Sequence, residues 1–137
     1  MTQRDLEAVR EELVLRHVEA ENDRDLDAVM ATFARPRYEI VPTGAVYDGE
    51  AAVRAMLLAQ WEEMPTLRFA AEAVFHSSTG LVVETTTTST GPASVGPRGS
   101  GVAMRSMNLF GFEGEDLVLE RCYFDRMLFA ECFIPHV

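Results

Sequence analysis

Two ionisable side chains in the sequence have surroundings that suit proton transfer, Asp125 and His17. Asp125 ends the segment ERCYFD, residues 120–125, and an apolar run at 117–119 precedes that segment. An ionised carboxylate beside apolar residues is costly unless a partner compensates its charge. Asp125 is therefore either the point where a strand leaves the core or an acid that lines a cavity. In a dry cavity its pKa would be raised, which suits general acid/base catalysis near neutral pH.

His17 belongs to the apolar face of an amphipathic N-terminal helix, in which apolar residues recur every three or four positions. A single His in such a face is either a hydrogen-bonded core residue or an acid/base group that faces a cavity. Together with Asp125 it would form an acid/base couple.

Five further side chains are candidates for contact with a bound small molecule. They are Asn108, Tyr38, Trp61, Phe33 and Phe110. Asn108 stands between two apolar residues of a predicted strand, and its amide needs a hydrogen-bond partner if it is buried. The four aromatic residues suit both a core and a cavity wall, since one side chain can serve as both.

The His and acidic residues have no spacing typical of a metal site, so the sequence predicts no metal. The glycines between residues 91 and 101 form a long Gly/Pro loop rather than a phosphate-binding turn, because no strand-to-helix step follows them. We therefore expect no cofactor. Cys122 and Cys132 also lack metal spacing, and reduced thiols in a cytoplasmic protein are the simplest interpretation.

Three helices must position His17 and the aromatic residues. Apolar residues with helical spacing predict them at 4–21, from the N-cap Asp25 onward, and at 50–63. Pro36 and Pro65 limit the second and third helices. A short strand is predicted at 37–42, and the turn-rich stretch that follows it is predicted to be a loop.

The second half of the chain reads as antiparallel strands. From residue 67 the apolar period changes from about 3.6 to 2, which marks a change from helix to strand. Two hairpins are predicted, one joining 67–76 to 81–90 and one joining 102–112 to 117–125. Three helices followed by such strands predict an α+β domain in which a curved sheet wraps around its helices.

Bulk composition limits the class of protein further. The 137 residues suit a single domain, 1–137, and the formal charge is -10, with 12 basic residues that are all Arg. Such a balance argues against nucleic acid, whose phosphates would be repelled. No apolar run approaches the ~20 residues that span a membrane, and the charged N-terminal helix is not a signal peptide.

This order of elements resembles the nuclear-transport-factor-2-like superfamily, and within it the SnoaL-like polyketide cyclases. The segments that carry the resemblance lie at 20–34, 38–56, 108–118 and 120–125. The resemblance implies a cone-shaped α+β barrel, with three N-terminal helices packed on a strongly curved, mostly antiparallel sheet around a cavity. It also implies that the acid of the last strand lies in that cavity, and that two copies form a homodimer through the open sheet face.

SnoaL-like cyclases close a polyketide ring by aldol chemistry, with one acid/base group in an apolar cavity. Asp125 takes the position of that group, while His17 and Asn108 would orient the oxygens of the substrate. The resemblance thus implies a small, apolar, oxygenated ligand and a cofactor-independent cyclase or isomerase. Ser89 stands where the family commonly has a His.

Two alternatives remain open. One is a non-catalytic binding or accessory module of the same fold. The other is an epoxide-hydrolase-like enzyme with a rebuilt site, because limonene-type epoxide hydrolases share the strand ending in YFD and a Tyr at position 38. In that comparison their Asn falls on Ile40, and their Arg-x-Asp pair falls on Thr86 and Thr88.

Overall fold

The computed structural model describes residues 1–89 and 102–125 of the chain. Its helices are α1 (Gln3–Asn22), α2 (Leu26–Thr32) and α3 (Glu50–Glu63). Its strands are β1 (Arg37–Ile40), β2 (Ala45–Asp48), β3 (Arg68–Ser77), β4 (Gly80–Ser89), β5 (Val102–Glu113) and β6 (Asp116–Tyr123). The predicted loop at 91–101 and Cys132 lie outside the described residues.

Side-chain caps fix where the first two helices begin. Thr2 accepts a hydrogen bond from the backbone of Asp5, and the Asp5 carboxylate accepts one from the backbone of Thr2, which forms a capping box. Asp25 caps α2 as predicted, accepting from the backbone nitrogen of Ala28 at 3.1 Å. From its cap at Thr2, the helix α1 runs to Asn22, and its buried face includes His17.

The six strands form one sheet in the order β2-β1-β6-β5-β4-β3. Every neighbouring pair is antiparallel except β1 and β6, which are parallel. The α+β class, with three helices on a mostly antiparallel sheet, is confirmed. The prediction of a loop after β1 was wrong for Ala45–Asp48, because Gly44 adopts a φ of 76° and returns the chain as β2 beside β1.

The helices cover one face of the sheet. Helix α1 packs on β3 and β4, whereas α3 packs on β1 and β2. The core between these layers is built from fully buried aliphatic residues such as Val14, Val53, Leu57 and Val83. No helix among the described residues is long and apolar enough to cross a membrane.

An irregularity in the β5–β6 pairing sets which side chains of β6 face the helices. Gly111 pairs with Leu119 but Phe112 pairs with Leu117, so Val118 is an extra residue in β6. Side chains alternate between the two faces of a strand, and one extra residue reverses that alternation beyond it. The buried face therefore carries Leu117 and then Glu120.

Candidate functional site

A cavity of about 700 Å³ lies between α3, the C-terminal part of α1 and the inner face of the sheet. Its volume is in the range of sites for small organic molecules. Most of its wall is apolar. The larger apolar side chains in this wall are Met56, Met64, Leu67, Phe69, Met104 and Phe110.

Four polar side chains form a buried group at the cavity, which we call the inner cluster: His17, Glu21, Tyr38 and Glu120. The His17 Nε2 atom lies 2.7 Å from Glu120 Oε1 and 3.1 Å from the Tyr38 hydroxyl oxygen. The Tyr38 hydroxyl donates to Glu21 Oε1 at 3.1 Å, and Glu21 Oε2 lies 3.5 Å from His17 Nε2. None of the four residues is more than 6% exposed.

The hydrogen-bond partners of His17 define where its protons lie. The Thr32 hydroxyl donates to the carbonyl of Val29 at 2.7 Å, so its oxygen accepts from His17 Nδ1 at 2.8 Å. With Tyr38 donating to Glu21, the contact between the Tyr38 oxygen and Nε2 is a hydrogen bond only if Nε2 also carries hydrogen. Both ring nitrogens therefore act as donors, and the ring is an imidazolium held by two carboxylates.

Burial and charge shift the pKa values in the cluster. Burial alone would lower the pKa of His17, but Glu21 and Glu120 outweigh it and raise this pKa to about 10. Burial and repulsion from Glu21 raise the pKa of Glu120 above its ordinary value, although His17 opposes that change. Burial and Glu120 also raise the pKa values of Tyr38 and Cys122 well above their ordinary range, so both stay neutral at physiological pH.

A strip of polar side chains continues from the inner cluster across β4, β5 and β6. The Cys122 thiol donates to Glu120 Oε2 at 3.3 Å. The Asn108 amide donates to the Thr85 hydroxyl at 3.3 Å. Thr87 and Ser106 also belong to the cavity wall. The cavity is thus apolar with one polar side, which can orient a ligand.

The side chains that the sequence predicted for the site do not all reach the cavity. Tyr38, Asn108 and Phe110 line the cavity. His17 lies directly behind the lining, bonded to Tyr38 and Glu120.

Trp61 and Phe33 take a different place from the one expected. Both are 9% exposed members of the hydrophobic core, and neither is among the residues that line the cavity. The Phe33 ring instead packs edge-on against His17, with 5.2 Å between ring centroids.

Asp125 also lies elsewhere than the sequence suggested. It follows the end of β6, its side chain is exposed, and the cavity wall does not include it. The extra residue at Val118 is the physical reason, because it directs Glu120 inward. The couple that the structure brings together is therefore His17 with Glu120, not His17 with Asp125.

Sequence reasoning missed the two acids of the inner cluster. Glu21 follows His17 by four positions on α1, which places both on one face of the helix. That spacing was the available signal for Glu21. Glu120 gave no such local signal, because only the pairing of β6 with β5 reveals its direction.

The described residues also contain one group with the geometry of a metal site. His17, Glu21 and Glu120 each offer a ligand atom, and these atoms lie within 4.8 Å of one another. Nitrogen and carboxylate oxygen suit several divalent ions, but a bound ion would have to displace the Nε2 proton of His17. The sequence predicted no metal because these residues come from α1 and β6 and form no contiguous motif.

The chain matches a family model in sequence and solved structures in fold. The model of the SnoaL-like domain family matches residues 14–120. A putative SnoaL-like polyketide cyclase from Jannaschia sp. CCS1 superposes with a TM-score of 0.80 at 19% identity, covering 99% of each chain. No curated protein matches the chain.

Two further structures of this fold contain small molecules. TerC, co-crystallised with polyporic acid, has a TM-score of 0.76 and 16% identity, covering 90% of this chain and 97% of TerC. A hypothetical protein with a ketosteroid-isomerase-like fold from Catenulispora acidiphila DSM 44928, in complex with trimethylamine, has a TM-score of 0.75 and 15% identity. That match covers 90% of this chain and 94% of the other.

Proposed function

The chain belongs to the SnoaL-like domain family of the nuclear-transport-factor-2-like superfamily, and we propose that it binds a mostly apolar small molecule and moves a proton on it. The observation that carries this proposal is the 2.7 Å contact between His17 Nε2 and Glu120 Oε1 beside an apolar cavity. A buried carboxylate with a raised pKa can exchange a proton with a carbon acid near neutral pH.

Three members of the inner cluster, Glu120, His17 and Tyr38, have separate tasks in this scheme. Glu120 lines the cavity and takes the proton from the ligand, then returns it to another atom. His17 stabilises the ionised form of Glu120 with its own charge. Tyr38 holds Glu21 and His17 in their relative positions through two hydrogen bonds.

The reaction class that fits is a cofactor-independent isomerisation or ring closure. Both reactions need one positioned acid/base group when the substrate stabilises its own enolate. In an isomerisation the proton returns to a different carbon, and in an aldol ring closure the carbanion attacks a carbonyl. The polyporic acid in TerC and the trimethylamine in the Catenulispora acidiphila protein support the binding of small molecules in this fold.

A simple carbon acid tests the proposal before the substrate is known. In 5-nitrobenzisoxazole a base removes the carbon-bound proton while the ring N–O bond opens, giving a coloured cyanonitrophenolate. We expect the wild-type protein to catalyse this reaction, and Glu120→Gln to slow it at least about tenfold. Glu19→Gln is the matched control, because it removes the same charge from an exposed residue that does not line the cavity.

The outcome separates two functions. Equal rates for wild type and Glu120→Gln, with both proteins folded by circular dichroism, would reject proton transfer by Glu120. Binding of the probe without turnover, measured by calorimetry, would then identify a non-catalytic binding module.

We further propose a homodimer that forms through the outer face of the sheet, as the family resemblance implies. Three large apolar residues are exposed on that face: Phe75 by 53%, Met107 by 40% and Tyr123 by 42%. A cytoplasmic location also remains a proposal, in keeping with Cys122 as a free thiol.

A further inference from the structure

Within residues 1–89 and 102–125, the charged side chains that line the cavity are all acidic. Among the described residues, the lining contains Glu21, Glu63 and Glu120, and no Arg. Glu63 is exposed on α3, whereas Glu21 and Glu120 are buried in the inner cluster. The cavity therefore presents negative charge to any ligand that enters it.

The inner cluster is not electrically balanced. Two carboxylates surround one imidazolium, so the group carries a net charge of -1 when His17 is protonated and both acids are ionised. A buried charge without a counter-charge is costly. A positive ligand group beside Glu21 and Glu120 removes that cost, while a negative group increases it.

Hydrogen-bonding capacity at the cluster favours the same kind of ligand. The donors nearest the carboxylates are already used, since Tyr38 donates to Glu21 and the Cys122 thiol donates to Glu120. Each carboxylate oxygen accepts more than one hydrogen bond, so acceptor capacity remains. A ligand group that donates hydrogen bonds fits better here than a carbonyl or a carboxylate.

The remaining wall also suits a cation with an apolar body. The aromatic residues of the lining are Tyr38, Tyr47, Phe69, Phe110 and Phe124. Aromatic faces attract ammonium groups, and most strongly where water is excluded. The apolar side chains of Met56, Met64, Leu67 and Met104 also line the cavity and can cover a hydrocarbon skeleton.

We propose that the natural ligand is an apolar molecule that carries a basic nitrogen, bound as an ammonium ion at Glu21, which leaves Glu120 available for the proposed proton transfer. This inference rests on the proposed binding of a small molecule in the cavity and names the chemical class of that molecule. It adds a basic nitrogen to the apolar, oxygenated ligand expected from the sequence, and it disfavours carboxylic acids.

Three probes with one carbon skeleton test the inference: phenylbutylamine, phenylbutanol and phenylbutanoic acid. At pH 7 they are cationic, neutral and anionic. We expect calorimetry to give a Kd for the amine at least about tenfold lower than for the alcohol, with still weaker binding of the acid. Equal or tighter binding of the alcohol or the acid would refute the ammonium site while leaving the cavity as a binding site.

Absence of binding by all three probes would refute the proposed function and this inference together.

A pair of variants tests which residue causes the preference for the amine over the alcohol. Glu21→Gln keeps an oxygen that can accept from Tyr38 but removes a charge, and we expect it to abolish most of the advantage of the amine over the alcohol. Glu19→Gln removes the same charge from the exposed side of α1 and should leave that advantage unchanged. An equal effect of both variants would contradict a local site, since it would show only a response to the net charge of the protein.

Discussion

His17 is a fully buried side chain that is nevertheless charged. Its Nε2 atom hydrogen-bonds to Glu120 and its Nδ1 atom to Thr32. Because the side chain is fully buried, water does not compete for these hydrogen bonds. Because both neighbouring acids favour the protonated ring, the folded protein binds this proton much more tightly than the unfolded chain does. The pH dependence of stability therefore reports directly on the cluster.

We predict that the free energy of unfolding falls as the pH rises from about 6.5, the ordinary pKa of His, towards about 10, its pKa in the fold. A group whose pKa is raised by folding stabilises the folded state below its unfolded pKa, and that stabilisation is lost as the pH rises through the folded pKa. The slope expected for one such group is about 1.4 kcal/mol per pH unit. Urea denaturation at several pH values measures it.

Two histidine variants provide the comparison. His17→Gln should lose most of this decrease, because a glutamine side chain does not titrate. His76→Gln changes a histidine that pairs with Glu11 away from the cavity, and it should keep the decrease. The opposite pattern would assign the pH dependence to His76 and remove the support for a charged His17.

At the scale of helices and strands, the helices were predictable because their signals are local. Thr2 and Asp25 cap α1 and α2 through neighbouring residues, so the sequence alone contains both partners. The strand Ala45–Asp48 was missed, because four residues between turn signals become a strand only when β1 offers a partner. Glu120 was missed for a similar reason.

The direction of Glu120 depends on pairing between distant segments. Alternation counted from buried Leu117 places Asp125 on the inner face and Glu120 on the outer face. The extra residue Val118 reverses that count, and nothing in the sequence of β6 marks it. The fold class follows from patterns along the chain, whereas the identity of the acid in the cavity follows from one irregular pair of strands.

Gly80, the first residue of β4, offers a test of how closely β4 approaches β5. A Cβ atom added at Gly80, where φ is 154°, would lie 2.0 Å from the carbonyl oxygen of Phe110, which is backbone and cannot move aside. We predict that Gly80→Ala lowers the free energy of unfolding well beyond the about 1–2 kcal/mol expected for a left-handed residue alone. Chemical denaturation measures the difference.

Gly114→Ala is the control for this prediction. Gly114 also has a positive φ, 60°, but an added Cβ atom would meet nothing within 4 Å. It should therefore show only the backbone cost. If both variants lose the same stability, the contact with Phe110 is not what requires glycine at position 80.

For the whole molecule, charge and exposed apolar area act in opposite directions on association. The chain carries a formal charge of -10, which repels a second copy. The outer face of the sheet nevertheless exposes Met107 between the ion pair of Arg105 with Glu84 and the ring of Tyr123. Apolar residues flanked by paired charges suit an interface between two copies.

We predict that Met107→Arg converts the proposed dimer to a monomer, because two copies would each bury an unpaired guanidinium. Sedimentation velocity at physiological salt measures the mass. Leu58→Arg is the matched control, since Leu58 is 54% exposed on α3 and lies outside the sheet. A monomeric wild type, or dissociation of the Leu58 variant alone, would contradict an interface on the outer sheet face.

The parallel pairing of β1 with β6 has a consequence for how the protein folds. Tyr38 stands on β1 and Glu120 on β6, and these two residues face each other across that pairing although 82 positions separate them in the chain. Contacts of such long range form late, because a large loop must close before they give any stabilisation. Helix α1 and the hairpins can form from neighbouring residues, but the inner cluster cannot. During refolding, helical circular dichroism should therefore recover before ligand binding does, and the slowest kinetic phase should be the one that restores the site.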